Sequence, residues 1–403
     1  MNAKTVKSII GVLCAAAVMS SVFVPVSVIA DIAVQFPDVD ISLVQMLVAL
    51  PSLAAIASNF LIAKLSTRFY KRSMILVCTA AILVAGVIPL FFHQNFFVLL
   101  AVALVIGIGM GGIQNAVIAL IANAFEGAVM ATVMGMLSLA IGLGALLFRS
   151  VSAVLASNGW TDAYLAYLIL VPLLLIQLVC LPKGTLEQKA PKGERAKVPG
   201  MVITIAAFGF CVYLCYQMFD ANVSLIIAER GIGATGDTGI ASSVNAVATM
   251  LPGLFIVPFV KLFKNQSMTV AFLILGAGLA CLLFGQSLLP ICIAAACMAI
   301  ANALFTVNMN NTVSSISAVG MGFNIALASG VSNLGQALSP LIMGVAAAPF
   351  GDAIDAKLAI GLVIMGICTV VGFLVLRKVG KTSQVSGEGS SAPTAMDEAT
   401  QAA

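Results

Sequence analysis

Arg149 and Asp220 are ionisable residues standing inside long apolar runs of a 403-residue chain. A charge at the centre of a membrane helix costs about 2.5–3.5 kcal/mol on insertion scales, so such residues are kept for a function or a partner. Tyr213, Gln217, Asp220 and Ser224 recur at a three-to-four-residue spacing and share one helix face. On that face Asp220 is a candidate proton carrier; otherwise it caps backbone or pairs with a charge near the outer mouth. Gly135, Ser138, Gly142, Ala145 and Arg149 form a second stripe, spaced three, four, three and four. Its small residues admit a close neighbouring helix, and its guanidinium offers forked donors to an anionic group. The competing readings for Arg149 are a side chain snorkelling to headgroups and an inter-helix pair with Asp220. Asp31, at the end of the first apolar run, is a second proton-carrying candidate.

Neutral polar residues are concentrated in the second half of the chain: Asn302, Thr306, Asn308, Asn310 and Asn311 in one run, Asn324, Ser329, Ser332, Asn333 and Gln336 in the next. Gln114 and Asn115 stand in an earlier one. Amides in a bilayer need partners. Taken singly they hold helices together; as a set they suggest a polar cavity. Little else offers chemistry. His93 is the single histidine, and the nine cysteines all lie in apolar runs, so neither a metal site nor a disulfide framework is expected. Gly107-Ile108-Gly109-Met110-Gly111-Gly112 matches a dinucleotide fingerprint in letters only, because it sits inside an apolar run rather than after a strand. Close helix packing explains it better. Gly380-Lys381-Thr382 lacks the upstream glycine of a phosphate-binding loop. No cofactor is expected, and energy would come from an ion gradient, the substrate's own gradient or another subunit.

The elements that must position these residues are set by composition. The chain is 61% hydrophobic and 8% charged, with a mean hydropathy of +1.14. Soluble domains are nearer 25% charged, so the solvent of this fold is the lipid bilayer. The net charge of +4 is scattered in short clusters, which gives no footprint for nucleic acid. Twelve spans are predicted: Ser8–Ala30, Leu43–Ala63, Met74–Phe92, Phe97–Ile121, Ala128–Leu155 and Ala163–Leu181, then Met201–Ile227, Ile240–Phe263, Met268–Phe284, Pro290–Asn311, Gly320–Ala346 and Leu358–Leu376. The fold class is therefore all-α and polytopic, in two six-helix bundles at 1–181 and 201–377. A charged linker at 182–200 joins them, and a tail at 378–403 is expected to be disordered. Lys4 and Lys7 precede the first span, which is too long for a signal peptide. Twelve spans place 16 of the 19 basic residues on the side of the termini, all but Arg149, Arg230 and Lys357. By the positive-inside rule that side is cytoplasmic.

The halves repeat weakly: aligning Ser73-Met74 with Ser267-Met268 superposes them span on span. Parallel repeats of this kind are a transporter signature. The turn after the second span reads Ala63-Lys64-Leu65-Ser66-Thr67-Arg68-Phe69-Tyr70-Lys71-Arg72. It resembles the Gly-x-x-x-Asp-Arg-x-Gly-Arg-Lys turn of the major facilitator superfamily. The basic residues Lys64, Arg68, Lys71 and Arg72 are present, while Ala63, Thr67 and Tyr70 replace the glycines and the acid. Phe36-Pro37, Val44-Gln45, Leu50-Pro51-Ser52-Leu53 and Gly159-Trp160 resemble bacterial members. The resemblance implies a central path lined by the first, fourth, seventh and tenth spans. Ser20, Ser21, Gln114, Asn115, Tyr213, Gln217, Asp220, Asn302 and Thr306 are then lining candidates, and the fifth span, with Arg149, flanks the interface between bundles.

The reading is a secondary active transporter of the cytoplasmic membrane, with its two bundles rocking about a midplane site. It is expected to act as a monomer on a small organic molecule, an organic anion if Arg149 is the anchor, coupled to protons. Efflux of neutral or amphipathic compounds is the alternative. A polytopic enzyme would show clustered acids or histidines, and a transporter-like sensor would bind ligand without flux.

Overall fold

Where most side chains are apolar and the solvent is lipid, each segment must pair its own N–H and C=O groups, and helices do this. The computed structural model describes residues 3–65, 68–125, 127–182, 198–263, 266–316, 321–351 and 353–388, with no strand among them. The first span is α1 (Ala3–Val18), a 3-10 stretch (Met19–Val28) and α2 (Ile29–Gln35). Then come α3 (Ile41–Leu65), α4 (Lys71–Phe91), α5 (Phe96–Ala124) and α6 (Gly127–Leu155). The sixth span is a 3-10 stretch (Trp160–Ile169) leading into α7 (Leu170–Cys180). The second half holds α8 (Gly200–Glu229), α9 (Thr235–Phe263), α10 (Ser267–Phe284), α11 (Leu288–Ile316), α12 (Met321–Ala347) and α13 (Ile354–Glu388). Eleven of these stretches are long and apolar enough to cross a membrane, and α9, at 29 residues, completes two sets of six.

Most of the expected linker, residues 183–197, lies outside the described residues, as does the tail from 389. The last helix runs on to Glu388 rather than ending near Leu376. Extending a helix already nucleated in the membrane adds a hydrogen bond for each residue fixed, and no proline stops this one before Pro393.

The surface inverts that of a soluble protein. Val77, Val84, Leu143, Val179, Val363 and Ile367 are exposed, whereas Ser20, Gln177, Gln217, Asp220 and Asn324 are buried. Lipid covers the first group, and the second must find partners inside. Glycines let the helices close up. A methyl added at Gly107 would strike the Pro51 backbone on α3, and one at Gly111 that of Ala55. The glycine-rich run is thus a packing surface of α5. Gly107→Val is expected to lower stability by about 1–3 kcal/mol through overpacking. Thermal unfolding in detergent checks this against Gly366→Ala, a site where an added methyl meets nothing.

The turns at 36–40 and 230–234 mark the distal end of the molecule; Leu181 and Val198, on either side of the linker, lie at the opposite, proximal end. At the distal end Arg230 donates to the carbonyls of Leu282, Leu283 and Gly285 and to Asp355, at 2.6–2.9 Å. These include orphan carbonyls at the C-terminus of α10, where a cation is favoured. Arg230→Gln should cost about 1–3 kcal/mol, read as a lower unfolding midpoint.

Between the two halves, α3 packs on α12 and α6 packs on α9. Gly142 of the small-residue stripe faces that contact: a methyl there would meet Met250 of α9, and one at Gly239 of α9 would meet Ala153 of α6. The surroundings of Gly135 and the side chain of Ser138 lie outside the described residues.

Candidate functional site

A cavity of about 190 Å3 lies at the middle of the helices, between the bundles. The first span contributes Met19, Ser20, Val22 and Phe23, and α3 contributes Val48, Ser52 and Ala55. Met110 and Gln114 of α5, Ile141 of α6, and Asn333 and Gln336 of α12 complete the wall. Ser20 donates to the Ile141 carbonyl at 2.7 Å, and Gln336 Nε2 donates to Gln217 Oε1 at 2.9 Å. The first span reaches the cavity through its 3-10 stretch, which contains Pro25. A mid-helix 3-10 stretch marks a hinge or strain.

Distal to the cavity, Arg149 and Asp220 form a forked ion pair across the bundles. The Nη1–Oδ1 distance is 2.7 Å and the Nη2–Oδ2 distance 3.1 Å. The two side chains are 2% and 1% exposed, which leaves neither in contact with headgroups. The guanidinium carbon sits 4.0 Å from the centre of the Phe23 ring, a cation–π contact. Phe23 therefore separates the ion pair from the cavity that it lines. Of the three readings open for Arg149, the structure contains the pair with Asp220.

Further bonds join the bundles around this pair. Gln45 donates to Asn222 at 2.8 Å, and Thr235 donates to Asp31 at 3.1 Å. The Ser150 and Ser243 hydroxyls meet at 2.8 Å. Ser224 donates to the Ser27 carbonyl at 3.1 Å and accepts from the Ala30 N–H at 3.2 Å. Both groups sit at the break between the 3-10 stretch and α2, where Val28 has φ −114° and ψ 10°. The first N–H groups of a helix have no intrahelical acceptor, so a hydroxyl from the opposite bundle serves as the cap.

The lining candidates divide. Ser20 and Gln114 line the cavity. Gln217 is held by Gln336, and Asp220 by Arg149. The Tyr213 and Thr306 hydroxyls meet at 3.0 Å, and Thr306 donates to the Asn302 carbonyl at 2.7 Å. That group braces α8 against α11 and supplies nothing to the cavity wall. Ser21 is buried, and neither it nor Asn115 lines the cavity. The wall draws on the second and eleventh spans in place of the seventh and tenth. Asn333 and Gln336 belong to the set of amides that suggests a polar cavity, Gln45 enters the sequence reading only through the Val44-Gln45 resemblance, and nothing in the sequence marks Asn222. Asn333 and Gln336 lie three residues apart in an apolar run, a spacing that places two amides on one face.

In the turn motif, Lys71 is buried at the start of α4 and Arg68 is exposed. Arg72 donates to the Leu178 carbonyl near the end of α7. The side chain of Lys64 lies outside the described residues. His93 packs edge-on to Trp160 at the distal turn.

Two parallel six-helix halves enclosing a midplane cavity define a membrane transporter fold. The family model of the Major Facilitator Superfamily matches residues 9–251 and again 205–400, and the chain belongs to that superfamily. No curated protein matches the sequence. Among solved structures, the chain is similar to the POT family transporter PepTSo, with a TM-score of 0.75 at 12% identity over 92% of this chain and 98% of that one. It is also similar to a mutant of the nucleoside transporter NupG, with 0.73 at 12% identity over 93% and 99%. A bacterial homologue of the human lysosomal transporter Spinster, inward-facing and occupied, gives 0.70 at 15% over 91% and 96%. At these identities the likeness is one of fold.

Proposed function

We propose that this chain is a secondary active transporter of the cytoplasmic membrane, carrying a small organic molecule through the cavity between its bundles by alternating access, with proton coupling at Asp220. The termini face the cytoplasm, so the distal end faces outward. The observation that carries the reading is the buried Arg149–Asp220 pair, which ties the bundles together distal to the cavity. Rocking the bundles open at that end must separate the two charges. Separation in a dry interior is costly; it becomes accessible when water enters or when Asp220 takes a proton. Among the described residues, Tyr216 is a further titratable side chain beside the pair, and its hydroxyl donates to Asn245 at 3.1 Å.

The pair requires an ionised carboxylate, so distal closure is favoured with Asp220 deprotonated and distal opening with Asp220 protonated. A substrate that binds the closed and open forms unequally then shifts the same equilibrium. Asp31, bonded to Thr235 across the bundles, is the secondary candidate for proton carriage.

The test starts from thermal unfolding of the purified protein against a metabolite panel at two pH values. A ligand at 100 times its dissociation constant should stabilise by about 2.7 kcal/mol. Uptake of that ligand into proteoliposomes should then follow an imposed pH gradient and lose that dependence in Asp220→Asn. Binding without flux would identify a sensor and overturn the transporter reading. Flux with unchanged proton dependence in the variant would remove Asp220 from coupling.

A further inference from the structure

Among the described residues the wall of the cavity carries no charged side chain. Its polar side chains are Ser20, Ser52, Gln114, Asn333 and Gln336, and the remainder is apolar, with Phe23 at the distal end. Arg149, which stacks on the Phe23 ring, is not among the lining residues and is neutralised by Asp220. Gln114 comes from the N-terminal half and Asn333 from the C-terminal half, and neither side-chain amide bonds to the protein among the described residues. Each amide offers two donors and an acceptor, so facing walls present unused hydrogen-bonding groups of both kinds. Gln336 has committed a donor to Gln217 and keeps its carbonyl oxygen.

We infer that the cavity selects an uncharged molecule that both donates and accepts hydrogen bonds, and that its apolar side lies against Phe23. This rests on the transporter reading above. An ion entering this chamber would lose water without meeting a counter-charge, at a cost of several kcal/mol. Amides and hydroxyls satisfy neutral polar groups without that penalty. The volume of about 190 Å3 is below the roughly 300–1,000 Å3 of pockets for drug-sized ligands, which favours a small polar metabolite over a bulky amphiphile. A molecule bonded to Gln114 and Asn333 at once would bridge the two bundles, so it would be sensed by the same motion that the ion pair controls.

The test uses the full chain in nanodiscs, with Ser20→Cys and Asn333→Cys made separately. Each is treated with methanethiosulfonates that are neutral (methyl), anionic (sulfonatoethyl) or cationic (trimethylammonioethyl). Peptide mass spectrometry reads the modification at that one position, and each rate is normalised to that of a free thiol. The neutral reagent should label both positions at least about tenfold faster than either ion, as the desolvation cost requires. Adding Gln336→Glu should selectively speed the cationic reagent, which separates charge from size. Anionic labelling as fast as neutral would overturn the inference and restore an anion site; equally fast cationic labelling would overturn it in favour of cations. Failure of all three reagents, the neutral one included, would overturn the chamber itself and with it the alternating-access reading.

Discussion

Asp220→Asn should release the distal end of the protein while leaving it folded. The variant keeps the shape of the side chain and removes its charge, so Arg149 stays buried with no counter-ion. Breaking one side of a buried ion pair costs about 3–5 kcal/mol. That cost falls on the distal-closed state, because in an open state water reaches the guanidinium. A closed state favoured in the wild type would lose roughly two to three and a half orders of magnitude in its ratio to the open one, since each 1.4 kcal/mol is tenfold. Arg149→Gln should do the same from the other side. The double variant Arg149→Gln/Asp220→Asn should be milder than either single one, because no charge is then left unpaired. Labelling of a cysteine at Ser27 by an impermeant reagent added outside intact cells measures all three. Equal labelling of wild type and single variants would make the pair incidental to the gate.

Ser224→Ala should have the next largest effect. The hydroxyl satisfies both the Ser27 carbonyl and the Ala30 N–H at the break in the first span. Each buried backbone group left without a partner costs about 1–3 kcal/mol. The loss again falls on the closed form, since Ser224 belongs to the opposite half of the chain and parts from the first span on opening. Hydrogen exchange of the Ala30 amide should quicken by on the order of tenfold or more, following the same scale, with little change at amides inside α1. Uniform quickening throughout the first span would indicate general destabilisation instead.

The span count and the two halves could be read from the sequence because a bilayer allows so few solutions for an apolar chain. The close packing of Gly107 and Gly111, and of Gly142 on α6, could be read because glycine at helical spacing has one common use there. The face of α8 bearing Tyr213, Gln217, Asp220 and Ser224 could be read from spacing alone, and all four side chains make polar contacts in the structure. Their partners could not. Which bundle a face meets depends on how twelve nearly uniform apolar helices are arranged, and those helices carry little amphipathic signal to say. Tyr213 and Gln217 look like lining residues until Thr306 and Gln336 are seen to hold them. Ser224 looks like an ordinary helix serine until the break near Val28 is known. That break has only Pro25 as its sequence trace, and proline in a membrane helix has several outcomes. Arg149 offered three readings of similar chemistry, and only the position of α8 relative to α6 distinguishes them.

The central claim is that the charge state of Asp220 governs the distal gate. Electron–electron distance measurements between spin labels at Val34 and Leu289 test it most directly. Both positions are exposed and stand at the distal ends of opposite halves, and genetically encoded labels leave the native cysteines in place. At neutral pH the wild type in nanodiscs should give predominantly a short distance. Acidification should raise a longer population, and Asp220→Asn should show that population at both pH values. One distance distribution, unchanged by acid and by the substitution, would contradict the account.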